Sequence, residues 1–576
     1  MSIRVTITQP NVTDQFGRPL LVGQSYSLDD DYARSLVSQL KATASTALFP
    51  QWGSSLIEWL AYPEMFGAKG DGSSDDGKAF ALALSAPGYA GIKLTPGKNY
   101  ILKNVPVSSN KVLDFTGATV TWGGSYGTAP VSENVSTLFY VQGTSSSRLN
   151  NIRFVGGNIV GSRTGSDYAS TGTNEQDGIS VQYADNVIFD GCYFYNTKQD
   201  CISLDFVTAV VVRGCRFENS GDVAVDIRDG SSISVINNTA VRTRSLVSCK
   251  PNIDGVDVIG NDCQTFGIGI TCHGPNWHII GNTIRVATTP DSQDGATENG
   301  IECYETGGGV PGNNFNGLVI SGNTITGRSS AYGIYIRDST NGDPSRVMIS
   351  DNYVDAKLGI LVAIGTDVVV RGNTVIATTG GGIWINGGTN PIIQGNTVSA
   401  TTAQAIKSAV TGTVIDGNII STSSAIEAIN LTSASTNTVI SSNKITGATS
   451  GIITNATGTV ISGNAITAAN GKGVSLQAAD ATVQGNKIAA TSGEGVLISF
   501  AKATVMGNRI TAATQGVRVS ASNSVVTGNI ISGCDFFGVN VSAGAVDTLV
   551  VSNNLTNNTS GGSTDAGTTS TFANNK

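Results

Sequence analysis

Three short phrases place carboxylates at spacings that acid–base chemistry could use. "ECYE" carries Glu302 and Glu305, "YIRD" carries Asp338, and "DIRD" repeats that last phrase upstream with Asp226 and Asp229. Cleaving a glycosidic bond needs one carboxyl to protonate the leaving oxygen and a second to activate water or attack directly. Tyr304, Tyr335, Arg228 and Arg337 stand in the same phrases, and Trp384 stands in "GGIWING" further on. Aromatic faces stack on pyranose rings, and Arg grips an acidic substituent with two parallel hydrogen bonds. Packing such acids closely raises at least one pKa, leaving a protonated acid beside an ionised partner. A solvated acidic face or a calcium site is the alternative for any one of these residues.

These phrases act together only if the chain brings them side by side, and a repeat does so. "VISGNTIT", "VVRGNTVI", "TVIDGNII", "VISGNAIT" and "TVMGNRIT" all write an apolar run, Gly-Asn, and another apolar run. The Asn, or its stand-in, recurs at 16 positions from Cys192 to Asn553, and 13 of the 15 steps measure 21 to 25 residues. Such a period means stacked units, none of which buries its apolar face alone. Within a unit the apolar residues alternate over runs of three to five, as in Ile383–Ile385, Pro391–Gln394 and Thr397–Ser399. No stretch of helical period and length lies between them, which excludes a sheet layered with helices. The expected fold is all-β: a parallel β-helix of 16 or more coils, with strands roughly 4.8 Å apart along its faces. Gly-Asn reads as the corner between strands, and a column of Asn can hydrogen-bond from coil to coil.

Aligning the strand after each corner gives two outward columns. The first reads Ser180, Ser203, Asp226, Gly269, Glu302, Tyr335 and Trp384; the second reads Gln182, Asp205, Arg228, Thr271, Tyr304, Arg337 and Asn386. Residues 177–352 hold 20 Asp and Glu, against six in residues 396–553, so the functional stretch is expected in the N-terminal half of the helix. One column puts carboxyls ~5 Å apart on adjacent coils and about twice that on alternate coils, spanning the separations of retaining and inverting hydrolysis. Glu302, Glu305 and Asp338 form the first candidate set, with Asp226 repeating it upstream.

Composition narrows the partners. A net charge of −8 and a pI near 4.9 leave no basic footprint for nucleic acid. No apolar run is long enough to cross a bilayer, and "MSIRVTITQP" lacks a signal-peptide core. Two histidines leave little material for a His-rich metal site, and no cofactor is implied. The eight cysteines, with no C-x-x-C pair, read as buried free thiols.

Ahead of the repeats, "IRVTIT" reads as a strand, and "SLDDDYARSLVSQLKATAS" as a helix capped near Ser27 to Asp29 with Tyr32, Leu36, Val37 and Leu40 on one face. "FGAKGDGSSDDGKAFALALSA" is a turn leading into a second helix, near residues 75–86, whose Phe80, Leu82 and Leu84 cover the open end of the first coil. "FGAKGDGSSDD" resembles the opening motif of the pectate-lyase-like right-handed β-helix superfamily, in the form common to bacteriophage tailspikes. That resemblance spans Pro63 to Asn553. It implies residues 1–62 as a virion-attachment segment, 63–553 as the β-helix and 554–576 as a Gly/Ser/Thr/Asn-rich tail. It further implies a homotrimer in the virion tail, made in the bacterial host cytoplasm. Such a protein contacts phage tail or baseplate proteins and binds and cuts a bacterial surface polysaccharide, the alternatives being a non-catalytic receptor-binding tail protein and a polysaccharide lyase on the same fold. The tail leaves no room for a separate trimerisation domain. "NEQDGISV" and "NTKQDCISL" are similar to the consecutive aspartate motifs of polygalacturonases, which would carry catalysis onto Asp177 and Asp200. That family's second adjacent Asp, Gly-His-Gly and Arg-x-Lys elements are not in register here, and an Asp at a coil corner is also a good turn residue.

Overall fold

The computed structural model describes residues 2–7, 12–13, 19–20, 25–29, 42–44 and 60–576, except 125–135, 164–175, 251–252, 288–297, 305–314, 338–343, 423–426, 469 and 512. From residue 60 the chain is a parallel β-solenoid, with about 19 turns in all. It divides into two units: Met1–Cys249 with Ile253–Gln264 and His278–Thr283, and Lys250–Asn252 with Thr265–Trp277 and Ile284–Lys576.

In the second unit three-residue strands stack in strict register. Ile393 lies over Ile415, then Ile440, Ile461, Val483, Val505, Val526 and Val550. All eight are fully buried. Alternation of apolar and polar residues turns every second side chain into this core. The first unit is filled instead by aromatic ladders: Phe154 stacks on Phe189 at 4.9 Å, and Phe194 on Phe217 at 5.3 Å.

The Gly-Asn corner divides its labour between its two residues. The first is left-handed, as in Gly395 (φ 63°), and Asn237, Asp351, Ser442 and Ser552 take the same place at φ 54° to 57°. The Asn that follows is buried and forms the ladder. Asn373 donates from its backbone N–H and from Nδ2 to Asn396 Oδ1, both at 2.9 Å, and from Nδ2 to the Ile349 carbonyl at 2.9 Å. The same set of bonds continues to Asn575. In the first unit Asn238, Asn261 and Asn282 make a shorter ladder that Cys215 joins through its N–H. The eight cysteines are buried, and none is in a disulfide.

Helix α1 (Gly77–Ser85) turns Ala79, Phe80, Ala83 and Leu84 inward, and Phe80 meets the rings of Tyr100 and Phe139. Leu82, expected on that face, is 47% exposed, because a helix places it opposite Phe80. Within the "GDGSSDD" phrase Asp71–Asp75 is a short strand, and its carboxylates cap the backbone around it. Asp71 Oδ1 accepts the N–H groups of Ser73 and Ser74, and Asp76 accepts those of Lys69 and Gly70.

Two expectations need correction. Ser27 to Asp29 do not cap a helix: Ser25–Asp29 is a strand antiparallel to Ser2–Ile7. The body of that expected helix lies outside the described residues. Residues 554–576 are not a tail but further solenoid. Gly561–Asp565 pairs with Phe537–Val541 and Thr571–Ala573 with Leu549–Val551, since the small polar residues there still supply an Asn for the ladder.

Candidate functional site

In the first unit, strands β1 (Gln176–Asp190), β2 (Ile202–Arg213), β3 (Val223–Ile227) and β4 (Ser245–Cys249) stack in parallel. Register sets Ser180, Ser203, Asp226 and Ser248 in one column, and Gln182 beside Asp205 in the next. Arg228 donates its N–H to the Leu204 carbonyl at 2.7 Å, placing it alongside Asp205. Asp177 and Asp200 occupy the corner that opens each strand. The Asp200 N–H donates to Asp177 Oδ1 at 3.3 Å, and the Val223 N–H to Asp200 Oδ1 at 3.2 Å. Both therefore serve as turn residues.

Asp200 also belongs to a charged cluster. Arg228 donates from Nε to Asp226 Oδ2 at 2.9 Å and brings Nη2 to 3.8 Å from Asp200 Oδ2. Asp177, Asp200 and Asp226 are 0%, 4% and 6% exposed, so the cluster is largely dry. Burial pushes the Asp200 carboxyl well above the usual carboxylate range, and the charges of Asp226, Asp177 and Asp222 push it further, against Arg228. The result is a carboxyl that resists ionisation beside one that is ion-paired.

In the second unit β5 (Ile270–Cys272), β6 (Asn299–Cys303), β7 (Thr324–Ile336), β8 (Tyr353–Val362) and β9 (Ile383–Ile385) carry the other candidates. Here the expected register is corrected. Ile270, not Ile268, pairs with Ile301, so Thr271 shares the column of Glu302 and Tyr335. Leu361 then separates Tyr335 from Trp384. Glu302 is 1% exposed, yet it accepts from Asn299 Nδ2 at 2.6 Å and from Arg337 Nη1 at 3.0 Å. The Arg337 guanidinium lies 5.4 Å from the Tyr304 ring and 5.7 Å from the Tyr335 ring. Tyr332 packs on Tyr335 at 4.4 Å, and His273 meets Tyr304 edge to face at 4.2 Å. Trp384 donates from Nε1 to the Gln404 carbonyl and lies under Lys407 Nζ. Glu305 and Asp338 lie outside the described residues, so the expected carboxylate pair is represented by Glu302, whose partners are a cation and an amide.

Asn299, Tyr332 and Asp222 were not singled out in the sequence. The signal for Asn299 was present, since "NGI" repeats the "DGI" and "DCI" phrases of Asp177 and Asp200. Among the described residues no group of three or more His, Cys, Asp or Glu is arranged to hold a metal ion. A shallow groove of about 600 Å³ follows the corners Gly463, Gly485, Gly507 and Gly528, with no titratable side chain in its lining.

A solenoid of stacked parallel coils, with carboxylates and aromatic rings gathered on its strands, defines the class. The family model described as "Right handed beta helix region" matches residues 267–445 and 427–576, more than half of the chain, and the chain belongs to that family. A model for adenovirus EB1 55K protein / large t-antigen matches residues 82–293, under half of it. No curated protein matches the chain. Among solved structures, a double mutant of the tailspike protein of E. coli bacteriophage HK620 is 13% identical, with a TM-score of 0.45, over 71% of this chain and 77% of its own. The A-module of Azotobacter vinelandii mannuronan C-5 epimerase AlgE6 is 16% identical, with a TM-score of 0.31, over 81% and 98%. PfbA, a surface adhesin of Streptococcus pneumoniae, is 14% identical, with a TM-score of 0.31, over 73% and 91%. Likenesses this distant carry no argument about the chemistry of this chain.

Proposed function

We propose that this protein is a phage tailspike that binds a bacterial surface polysaccharide, whether capsule, exopolysaccharide or O-antigen, and hydrolyses its glycosidic bonds internally with paired carboxylates. The observation that carries this reading is the meeting of Asp200 and Asp226 on adjacent coils around one guanidinium, Arg228. Glycoside hydrolysis divides its work between a protonated and an ionised carboxyl. Asp200, held above the usual range by burial and by Asp226, is the acid. Asp226, ion-paired with Arg228 Nε, is the base or nucleophile. Asp177 positions Asp200 by accepting its N–H. Arg228 is the most exposed member of the cluster, and a sugar reaching it meets Arg228 first.

Tyr304, Tyr335 and Arg337, with Trp384 beyond them, supply a face for binding rather than cleavage. Glu302, satisfied by Asn299 and Arg337, orients that face. The same observation favours a second reading, in which the protein holds the polymer without cutting it. In either reading the protein works in the virion tail as a homotrimer, after synthesis in the host cytoplasm, against tail or baseplate proteins.

The test is a reducing-end assay on purified capsular polysaccharides and O-antigens. The parent protein is expected to release new ends from at least one polymer, and Asp200→Asn and Asp226→Asn to lose that activity by about 100-fold or more. Glu302→Gln should weaken binding and spare turnover. Binding with no new ends from any polymer leaves the second reading, and unsaturated products would make the enzyme a lyase. Light scattering of the full chain checks the trimer, and a monomer overturns it.

A further inference from the structure

The strands that leave the Asn corners of the later coils stack in register: Ile419–Thr422, Lys444–Ala448, Ala465–Ala468, Lys487–Ala490, Arg509–Thr511 and Ile530–Ser532. Their first residues, Ile419, Lys444, Ala465, Lys487, Arg509 and Ile530, form one outward column, and all are exposed. Half of that column is cationic. No Asp or Glu stands on any of these strands, in a chain whose net charge is −8.

The fold does not call for this charge. The same column accepts Ile419, Ala465 and Ile530, and Thr397 on the coil before them. Lys487 and Arg509 are direct neighbours on adjacent coils, about 4.8 Å apart along the sheet, and like charges so placed repel. Neither they nor Lys444 makes a side-chain hydrogen bond or ion pair among the described residues. Carboxylates on the adjoining strands have partners of their own. Asp416, which ends the strand before Ile419, accepts from Ser441 Oγ at 2.7 Å and from Gln394 Nε2 at 3.1 Å. Glu427 accepts from Gln404 Nε2 at 3.1 Å, and Glu494 is paired with Arg518 at 3.4 Å.

The column borders an open groove. Lys487 and Arg509 follow Gly485 and Gly507 by two residues, and those glycines, with Gly463 and Gly528, floor the shallow groove of about 600 Å³. A side chain at Gly463, Gly485 or Gly507 would meet no atom within 4 Å, so the groove lies open along these coils. Ser462, Gln484 and Thr527 line it with groups that pair with sugar hydroxyls, and Met506 adds an apolar surface. We infer that this strip is a further polysaccharide-binding site, in which a carboxylate-bearing polymer lies along the groove and its acid groups pair with Lys444, Lys487 and Arg509. The inference rests on the polysaccharide reading above and adds the charge class of the polymer. A guanidinium takes a carboxylate with two parallel bonds, and an ammonium takes it as a point charge. Binding also relieves the repulsion between Lys487 and Arg509. A second copy of this chain, meeting the strip with its own strip, would set cation against cation.

The test compares the full chain with a neutral variant, Lys487→Gln with Arg509→Gln, and with a charge-keeping one, Lys487→Arg with Arg509→Lys. Each is applied to an array of purified uronate-bearing capsular polysaccharides, the same polymers after chemical reduction of their carboxyl groups, and neutral O-antigens. Light scattering and thermal unfolding are measured in parallel. The parent is expected to retain an acidic polymer and to bind its reduced form about tenfold more weakly. The neutral variant should lose that preference while keeping the parent's oligomeric state and unfolding at the same or a higher temperature. The charge-keeping variant should bind as the parent does. Undiminished binding by the neutral variant, or a parent that holds acidic and reduced polymers alike, overturns the strip and leaves the polysaccharide reading standing. A change of oligomeric state in the neutral variant would make this face an interface between copies, and a lower unfolding temperature would give the cations a structural role; either overturns the strip. A parent that retains no polymer on the array takes the polysaccharide reading down together with it.

Discussion

Arg337 donates from Nη1 to Glu302 Oε1 across 3.0 Å, joining a half-exposed cation to a carboxylate that is 1% exposed. The pair is asymmetric. Removing the cation strands a buried charge with Asn299 as its remaining hydrogen-bond donor, whereas neutralising the carboxylate leaves Arg337 in water. Arg337→Ala is therefore expected to cost about 1–3 kcal/mol, measured as a shift in urea midpoint. In a Glu302→Gln background the same change should cost much less, because no charge remains to strand. Equal costs in the two backgrounds would show that the pair is a surface contact.

His273 gives the protein an acid-side weakness. Burial lowers its pKa to about 4 from the ordinary 6.5. The ring is 1% exposed, and its Nδ1 has no hydrogen-bond partner among the described residues. The unfolded chain takes up this proton below pH 6.5, while the native chain resists until about 4. Stability contributed by the neutral ring is fully present above 6.5 and is lost as pH falls to about 4, by about 3 kcal/mol. His273→Gln should lose that slope. Urea midpoints for parent and variant that fall in parallel from about pH 7 to about pH 4 would contradict it.

How much of this was legible depends on what the period conveys. The Gly-Asn phrase disclosed the coils because a buried Asn ladder demands the same residue at the same corner each time. The strand register was less secure. In "FGIGITC" both Ile268 and Ile270 can face inward, and a slip of two residues preserves the alternation, so only the backbone pairing places Thr271 beside Glu302. The coils at Ser245–Cys249 and Tyr353–Val362 escaped the alignment; "SLVSC" lacks the Gly, and Leu361 faces outward as a polar residue would. Asp177, Asp200 and Asp226 were visible as candidates. What the sequence could not show was Arg228 turning inward to gather two of them.

The Asn ladder makes a quantitative demand. Asn396 Oδ1 accepts two bonds from Asn373, and Asn396 Nδ2 donates to the Val370 carbonyl and to Asn418 Oδ1. Asn396→Ala orphans buried groups on both neighbouring coils. A cost of about 3 kcal/mol or more is expected, read as a lower urea midpoint. Asn575→Ala should cost less, since the bonds of its side chain run to the preceding coils alone, to Asn553 and the Val550 carbonyl. Similar losses at both positions would mean that the ladder does not act rung by rung.

Asp200 should show the opposite pH dependence from His273. Its folded pKa lies well above the ordinary 3.8, because burial and the charges of Asp226, Asp177 and Asp222 disfavour ionisation. Above 3.8 the unfolded chain releases this proton while the native chain holds it. The stability linked to the protonated acid is therefore fully present below 3.8 and is lost as pH rises through the folded value. Asp200→Asn keeps an oxygen for the Val223 N–H and never ionises. Its urea midpoint should pull ahead of the parent's as pH rises above 3.8 and through the folded value. Turnover by the parent should fall as pH rises through that folded value, where the acid loses the proton it must donate. Midpoints that stay parallel across that range would mean that Asp200 ionises as an ordinary carboxylate, and would remove the acid from the proposed pair.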